Sequence, residues 1–336
     1  MGTFSRIAIG LIGAAATAFG VILIFRHYND IQKIKKIKAQ HAERDESPAN
    51  SSSPSFTTCS GNNDKSEASI SPEEIQHLVS MLSAANTTKF FKIMKTLIQF
   101  SNDNVNIPSF SSHYILDNLY SQLTLGGDGD FLRSVNVHVL NLFTNIVVDE
   151  AIRNHLKVKI DRFFDAKLST LDVNEIVALF RLLGNFAMLS DSADAVAKHS
   201  SEIFEFIACE SPSIRRLAWT VLLNLSCESD CVLVMLESSV SNGADGILIN
   251  SLREKDEIIL SKSLKFLCNV YKSLQPLHED KFSRESLFAC LLKAKEDLKL
   301  QTTLLLPQLT SSEEAYEDTQ RLLQILEECP MHNRFL

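Results

Sequence analysis

The pattern of apolar and polar positions divides the chain into three parts. From Ile7 to Phe25 it carries 19 consecutive uncharged, mostly apolar residues with no polar face. A polar stretch follows in which nine serines fall within residues 47–71 and aliphatic residues are scarce. From Pro72 onward apolar residues recur with a period near 3.6, which is typical of amphipathic helices. The pattern therefore predicts an apolar N-terminal segment, a linker and a helical body.

The segment from Ile7 to Phe25 is long enough to cross a bilayer as a helix. At roughly 1.5 Å per residue it extends about 28 Å, close to the hydrocarbon thickness of about 30 Å. The basic flank that follows it contains Arg26, Lys33, Lys35, Lys36 and Lys38. Positive charge on this side predicts that the body of the protein lies in the cytosol. We expect a permanent membrane anchor over residues 1–38, rather than a cleaved signal peptide or a buried soluble helix.

The composition of the anchor bears on its pairing and its membrane. Small residues recur within it, including the spacing Ala16-x-x-x-Gly20, and such residues let membrane helices approach closely. They also lower the hydrophobicity of the segment, so self-association and a moderately apolar monomeric anchor both stay open. A moderately apolar segment followed by basic residues favours the mitochondrial outer membrane, with the endoplasmic reticulum membrane as the alternative.

The folded body begins at a helix start signal. Residues Ser71–Glu74 place a serine at the N-cap, a proline at the first helical position and a glutamate at the third, which is a capping box. The chain has 11 Gly and 8 Pro, too few for the tight turns of an all-β fold. We therefore predict a disordered linker over 39–71, an all-α repeat domain over 72–310, and an acidic C-terminal helix and tail over 311–336.

An internal repeat organises the helical body. The motif apolar-x-Asn-apolar is centred on Asn145, Asn185, Asn224 and Asn269. Gln99 and Gln308 mark weaker versions of it at the two ends. The six positions are separated by 46, 40, 39, 45 and 39 residues. A period of about 40–47 residues is typical of armadillo and HEAT repeats, so the sequence predicts a right-handed armadillo/HEAT-like α-solenoid.

Two interpretations of the four repeat asparagines stay open. Near the end of a helix, an asparagine can hydrogen-bond the backbone of an adjacent loop and so tie neighbouring repeats together. It can instead face a groove and contact a bound ligand. The four asparagines are therefore the candidate groove positions of this sequence.

The residues around the asparagines resemble a known family. The stretch Thr220–Ser226 is similar to the Leu-x-Asn-Leu-Ser signature of armadillo repeats, and similar stretches surround Asn145 and Asn185. With the anchor, the basic flank and the serine-rich linker, the chain resembles the Alex-type armadillo-repeat proteins of the mitochondrial outer membrane. The resemblance implies an adaptor with protein partners in mitochondrial transport or fission–fusion machinery. A helix over Ser312–Cys329 departs from that family and is interpreted as a cap.

Charge and tryptophan placement narrow the partners. The net charge is −8, and from Pro72 onward acidic residues outnumber basic ones by 35 to 25, so no nucleic-acid partner is expected. The pair Arg215-Arg216 is interpreted as a solvated charge cluster. Nuclear-import receptors carry tryptophan four residues before each groove asparagine; Trp219 misses that position by one residue, so we expect it in the core.

No catalytic constellation stands out in the sequence. The nine histidines form no H-E-x-x-H pair, and G-x-S-x-G, P-loop and G-x-G-x-x-G motifs are missing. Cys227 and Cys231 lack a second pair at zinc-ligand spacing. We expect no enzymatic activity, no cofactor and no metal. The sequence favours a membrane-tethered scaffold at the cytosolic face of mitochondria, and the alternative is an armadillo-like regulator of a chaperone or other enzyme at the endoplasmic reticulum.

Overall fold

The computed structural model describes residues 70–241, 243–274, 277, 282–309 and 312–329. The predicted anchor over Ile7–Phe25, its basic flank and almost all of the linker lie outside these residues. The described residues belong to one compact unit, Glu67–Leu336.

The described part of the chain is helical, as its periodicity predicts. Its α-helices are α1 Pro72–Ser80, α2 Thr87–Phe100, α3 His113–Tyr120, α4 Asp130–Ile146, α5 Glu150–Lys157, α6 Ile160–Phe163, α7 Val173–Ala187, α8 Ser190–Ala197, α9 Ser200–Phe204, α10 Pro212–Leu225, α11 Ser229–Glu237, α12 Ala244–Ser251, α13 Glu257–Leu274, α14 Leu287–Leu305 and α15 Glu313–Glu328. Short 3₁₀ turns lie at Asn104–Phe110, Leu168–Thr170, Glu205–Ala208 and Leu306–Gln308. The described residues form no β-strand, only an isolated bridge between Ser239 and Ser286.

The start of the helical body confirms the predicted capping box. The Ser71 hydroxyl accepts a hydrogen bond from the Glu74 amide at 3.2 Å, and the Glu74 carboxylate accepts one from the Ser71 amide at 2.9 Å. Pro72 occupies the first helical turn, where its missing N–H costs nothing. A second capping box, Asp172 with Glu175, starts α7.

The helices form two layers that run in chain order. In the first layer α2, α4, α7, α10, α13 and α15 pack each on the next. In the second layer α1, α3, α5, α8, α11 and α14 do the same. Because each helix packs on the corresponding helix about one repeat later, the layers share a continuous apolar core, as expected for an α-solenoid.

The last repeat differs from the prediction. Gln308 does not occupy a repeat position, because it lies in the 3₁₀ turn Leu306–Gln308 that follows α14, a helix of the second layer. The helix that packs on α13 in the first layer is the acidic α15. The sequence motif is misleading here, since Leu-Pro-Gln-Leu resembles the repeat pattern but its proline belongs to a turn.

Aromatic and polar side chains are both buried in the core of the helical body. Trp219 is fully buried, which confirms the prediction, and its ring meets that of Phe266 edge-to-face at 5.5 Å between centroids. A buried polar pair also lies in the core: Asn136 donates to Glu175 at 2.6 Å, and both side chains are almost completely enclosed. Asn136 also exchanges hydrogen bonds with the backbone of Thr124.

Charged pairs join neighbouring helices of the second layer. Arg153, which is 8% exposed, donates to both oxygens of Asp191 at 2.9 Å and to the backbone oxygens of Val147 and Val148. Asp117 accepts hydrogen bonds from Lys159 at 2.7 Å and faces the imidazole of His155 at 2.9 Å. Since these partners lie 38 to 42 residues apart, such pairs fix the register of adjacent repeats.

The Asp117 cluster predicts a loss of stability in acid. Its hydrogen bonds from Lys159, and next from His155, hold the pKa of the Asp117 carboxyl below its ordinary value of 3.8. A lowered pKa contributes stability above the unfolded-state value, and this contribution disappears as the pH falls through the folded-state value. We therefore expect the free energy of unfolding in urea to fall less for Asp117→Asn than for the native chain when the pH is lowered from about 5 to 3. Equal losses in both proteins would contradict the assignment; Asp165→Asn, an exposed aspartate, is the control.

Candidate protein-binding face

The four repeat asparagines tie each helix of the first layer to the one before it. The side-chain amide of Asn185 donates to the Thr144 carbonyl at 2.8 Å, and that of Asn224 donates to the Gly184 carbonyl at 3.0 Å. The amide of Asn145 donates to the hydroxyl of Ser101 at 2.9 Å, and that of Asn269 donates to the hydroxyl of Ser226 at 3.1 Å. Two ties thus reach helix carbonyls, and the other two reach the turns that follow α2 and α10.

These ties leave part of each asparagine available. All four side chains are partly exposed, and the amide nitrogen is the atom used in every tie. No described residue donates a hydrogen bond to the side-chain oxygens of Asn185 and Asn224. The ladder of asparagines is thus structural on its nitrogen side and presents acceptors on its oxygen side.

The same spacing places further polar side chains beside the ladder. Four residues before the asparagines stand Asn141, Arg181, Thr220 and Lys265. Residues Asn141 and Arg181 touch across α4 and α7, with the Arg181 guanidinium 3.4 Å from the Asn141 side-chain oxygen. Lys265 pairs with two carboxylates of α15, those of Glu314 at 2.5 Å and Asp318 at 3.8 Å.

One helical turn earlier lies a pair of cations on α10 and α13. Arg216 pairs with Asp256 at 2.7 Å. The Lys262 ammonium donates to the Thr220 hydroxyl and to the Arg216 carbonyl, without a salt bridge to any described carboxylate. Burial, and then the nearby charge of Arg216, hold the pKa of Lys262 below its ordinary value, while Asp256 opposes them.

We call this surface the ladder face. It consists of His138, Asn141, Asn145, Val177, Arg181, Asn185, Arg216, Thr220, Asn224, Lys262, Lys265 and Asn269. Every one of these side chains is at least partly exposed. Four are cationic and none is anionic, whereas the body as a whole is acidic.

Aromatic rings lie at the α2 end of this face. Phe91 on α2 lies 5.7 Å from the ring of Phe131 and 5.0 Å from that of His138 on α4, measured between centroids. Phe131 is 43% exposed. The face therefore passes from a cationic centre to a partly apolar end.

One feature of this face corrects the sequence interpretation. Arg215 is not solvated, because its guanidinium reaches two backbone carbonyls and Glu254. Arg216 is exposed, as the sequence interpretation expects, and pairs with Asp256. The sequence motifs also do not indicate that Arg216 and Lys262 lie on the ladder face. Their positions eight and seven residues before Asn224 and Asn269 are the signal that finds them, because these offsets fall on one helix face.

Two further observations on the described residues concern metal ligands and thiols. They contain no group of three His, Cys, Asp or Glu side chains placed to hold a metal ion. Desolvation raises the pKa of the Cys231 thiol to about 11 and that of Cys268 to about 12, which keeps both protonated at neutral pH. No single described helix is both long and apolar enough to span a bilayer; α10 and α11 pass only as a pair bent by 119°.

Comparison with solved structures identifies the architecture. A designed armadillo repeat protein in complex with the peptide (KR)4 matches with a TM-score of 0.54 and 15% identity, over 75% of this chain and 99% of that one. Computationally designed armadillo repeat proteins for modular peptide recognition match with a TM-score of 0.54 and 16% identity, over 75% and 99%. The fold is armadillo-like. No protein-family model and no curated protein sequence matches the chain.

Within the armadillo fold the ladder face has a definite place. It is carried by the longest helix of each repeat, and its asparagines occupy the positions that the Leu-x-Asn-Leu-Ser resemblance indicates. At identities of 15% and 16% the likeness concerns the fold alone, so the chemistry of the face has to be inferred from its own side chains.

Proposed function

We propose that this protein is a non-enzymatic scaffold whose ladder face binds peptide segments of partner proteins. The observation that carries the proposal is the ladder itself, a row of partly exposed amides and cations on successive helices of an armadillo-like fold. Designed armadillo proteins of this fold were made for modular peptide recognition, and one is in complex with a peptide.

The proposal also places the scaffold on a membrane. The 19 apolar residues of Ile7–Phe25, the basic flank behind them and the serine-rich linker support a tether to the cytosolic face of the mitochondrial outer membrane. The tethered scaffold serves a role in mitochondrial distribution or dynamics, as the Alex-type resemblance implies.

Location and topology test this proposal. We expect a C-terminally tagged chain on mitochondria, with the tag digested when protease is added to intact organelles. Deleting residues 1–38 should release it to the cytosol, while deleting 39–71, a segment of similar length, should not. A protected, glycosylated tag in the endoplasmic reticulum would overturn the proposal in favour of a luminal chaperone regulator.

A further inference from the structure

The charge of the ladder face departs from that of the molecule around it. Arg181, Arg216 and Lys262 lie on the successive first-layer helices α7, α10 and α13, and among them Arg216 pairs with a carboxylate, that of Asp256. By the same spacing Lys92 and Lys95, both exposed, continue the cationic row onto α2. Since the body from Pro72 onward has more acids than bases, this row is a local concentration of positive charge.

The protein itself fills part of this row with carboxylates. Lys265 on α13, the last helix of the ladder face, forms salt bridges with Glu314 and Asp318 of α15. Arg216 forms one with Asp256. Arg181 and Lys262 are different, because their described hydrogen bonds go only to neutral oxygens. Neither Arg181 nor Lys262 thus forms a salt bridge with a described carboxylate, although the charge of Asp256 also acts on Lys262.

The remaining surroundings of Lys262 show what an anion would gain there. Its ammonium lies between the backbone of Arg216 and the Thr220 hydroxyl, is half-enclosed, and is influenced by the charges of both Arg216 and Asp256. A carboxylate placed beside it gains a charge-assisted hydrogen bond in a partly desolvated site, where such bonds are strong. The ladder amides beside it hold the backbone of an extended peptide in register.

The distance between neighbouring helices of the ladder face matches a whole number of residues in an extended peptide. Packed helices lie about 8–10 Å apart, and an extended peptide advances about 3.3 Å per residue. Peptide side chains two to three residues apart therefore contact consecutive helices of the ladder face. We propose that the ladder face takes an extended acidic peptide whose carboxylates pair with Arg181 and Lys262. These two cations lie on α7 and α13, with α10 between them, so the paired carboxylates are about five to six residues apart. This rests on the proposed peptide-binding function and fixes the class of partner.

A binding assay with the full chain in detergent micelles tests the proposal. The probe is a fluorescent peptide of six Glu-Ser repeats, compared with six Lys-Ser repeats and with a 12-nucleotide oligothymidine. We expect the acidic peptide to bind, the basic one not to bind, and the affinity to fall between about 50 and 300 mM salt. Arg181→Glu should weaken binding about tenfold or more, as the loss of a charge-assisted contact and its reversal predict.

The controls separate a seated carboxylate from general electrostatics. Lys198→Glu makes the same charge change at an exposed position after α8, in the second layer, and should weaken binding less than twofold. Lys262→Gln keeps a donor for Thr220 and should weaken binding without unfolding the chain, as circular dichroism checks. Equal losses for Arg181→Glu and Lys198→Glu, or tighter binding of oligothymidine than of the acidic peptide, would overturn the proposal.

Failure of this inference can be told apart from failure of the scaffold function. If the basic peptide binds instead and Arg181→Glu strengthens it, the ladder face is a peptide site of the opposite preference and only the acidic partner is wrong. If neither peptide binds but the chain still lies on mitochondria with its tag accessible, the tether stands while the acidic site falls.

Discussion

Replacing Trp219 with alanine should destabilise the protein by about 3–5 kcal/mol, the cost of deleting a large aromatic side chain from a packed core. Trp219 is fully buried on α10 and meets Phe266 of α13 edge-to-face. The cavity would open between two consecutive helices of the first layer, and solenoid stability depends on such nearest-neighbour interfaces. Urea unfolding followed by far-ultraviolet circular dichroism measures the effect.

Two companion variants give this result its meaning. Trp219→Phe keeps a ring against Phe266 and should lose clearly less than the alanine variant. Tyr316→Ala removes a ring that is 40% exposed on α15, and should change stability by about 0.5 kcal/mol or less. If Trp219→Ala has the same free energy of unfolding as Tyr316→Ala, the α10–α13 interface contributes little to the stability of the protein.

Replacing Asn136 with alanine should cost about 3 kcal/mol or more, although the residue is far smaller than tryptophan. The change removes the Asn136 donor to the enclosed Glu175 carboxylate and leaves the Thr124 amide without a partner, while the Thr124 carbonyl keeps its hydrogen bond from the Gly127 amide. Each buried polar group left unsatisfied costs roughly 1–3 kcal/mol, and charged groups cost more. The same urea titration measures the loss.

Asn118→Ala is the matched control for Asn136. The Asn118 amide donates only within its own helix, to the Tyr114 carbonyl at 2.8 Å, so we expect a loss below about 1 kcal/mol. The double variant Asn136→Ala/Glu175→Gln should recover part of the loss, because the carboxylate is no longer charged. If the losses for Asn136 and Asn118 agree within error, the buried pair does not hold α4 against α7.

Sequence patterns predict those features of the fold whose contacts are local or recur once in every repeat. The asparagine spacing is visible because each amide reaches the preceding ladder helix, so its period equals the repeat length. The Ser71 cap is equally local, since its hydrogen bonds join residues three apart. In both cases the signal and its partner are close in sequence or periodic.

Other features depend on partners that no local pattern specifies. The Asn136–Glu175 pair joins residues 39 apart on two helices, and each residue looks like an ordinary surface position in the sequence. Arg215 looks solvated until Glu254 and two carbonyls are placed around it. Gln308 shows the opposite error, in which a matching local motif lies in a turn.

The hydrogen bonds from the ladder asparagines to the preceding repeat also determine how the protein would unfold under a pulling force. Each tie crosses 40 to 44 residues and ends on the adjacent helix, so tension applied between the chain ends loads one repeat at a time. A released repeat of about 40 residues lengthens the chain by up to roughly 140 Å. Stretched, the molecule would give a sawtooth of nearly equal steps rather than a single rupture.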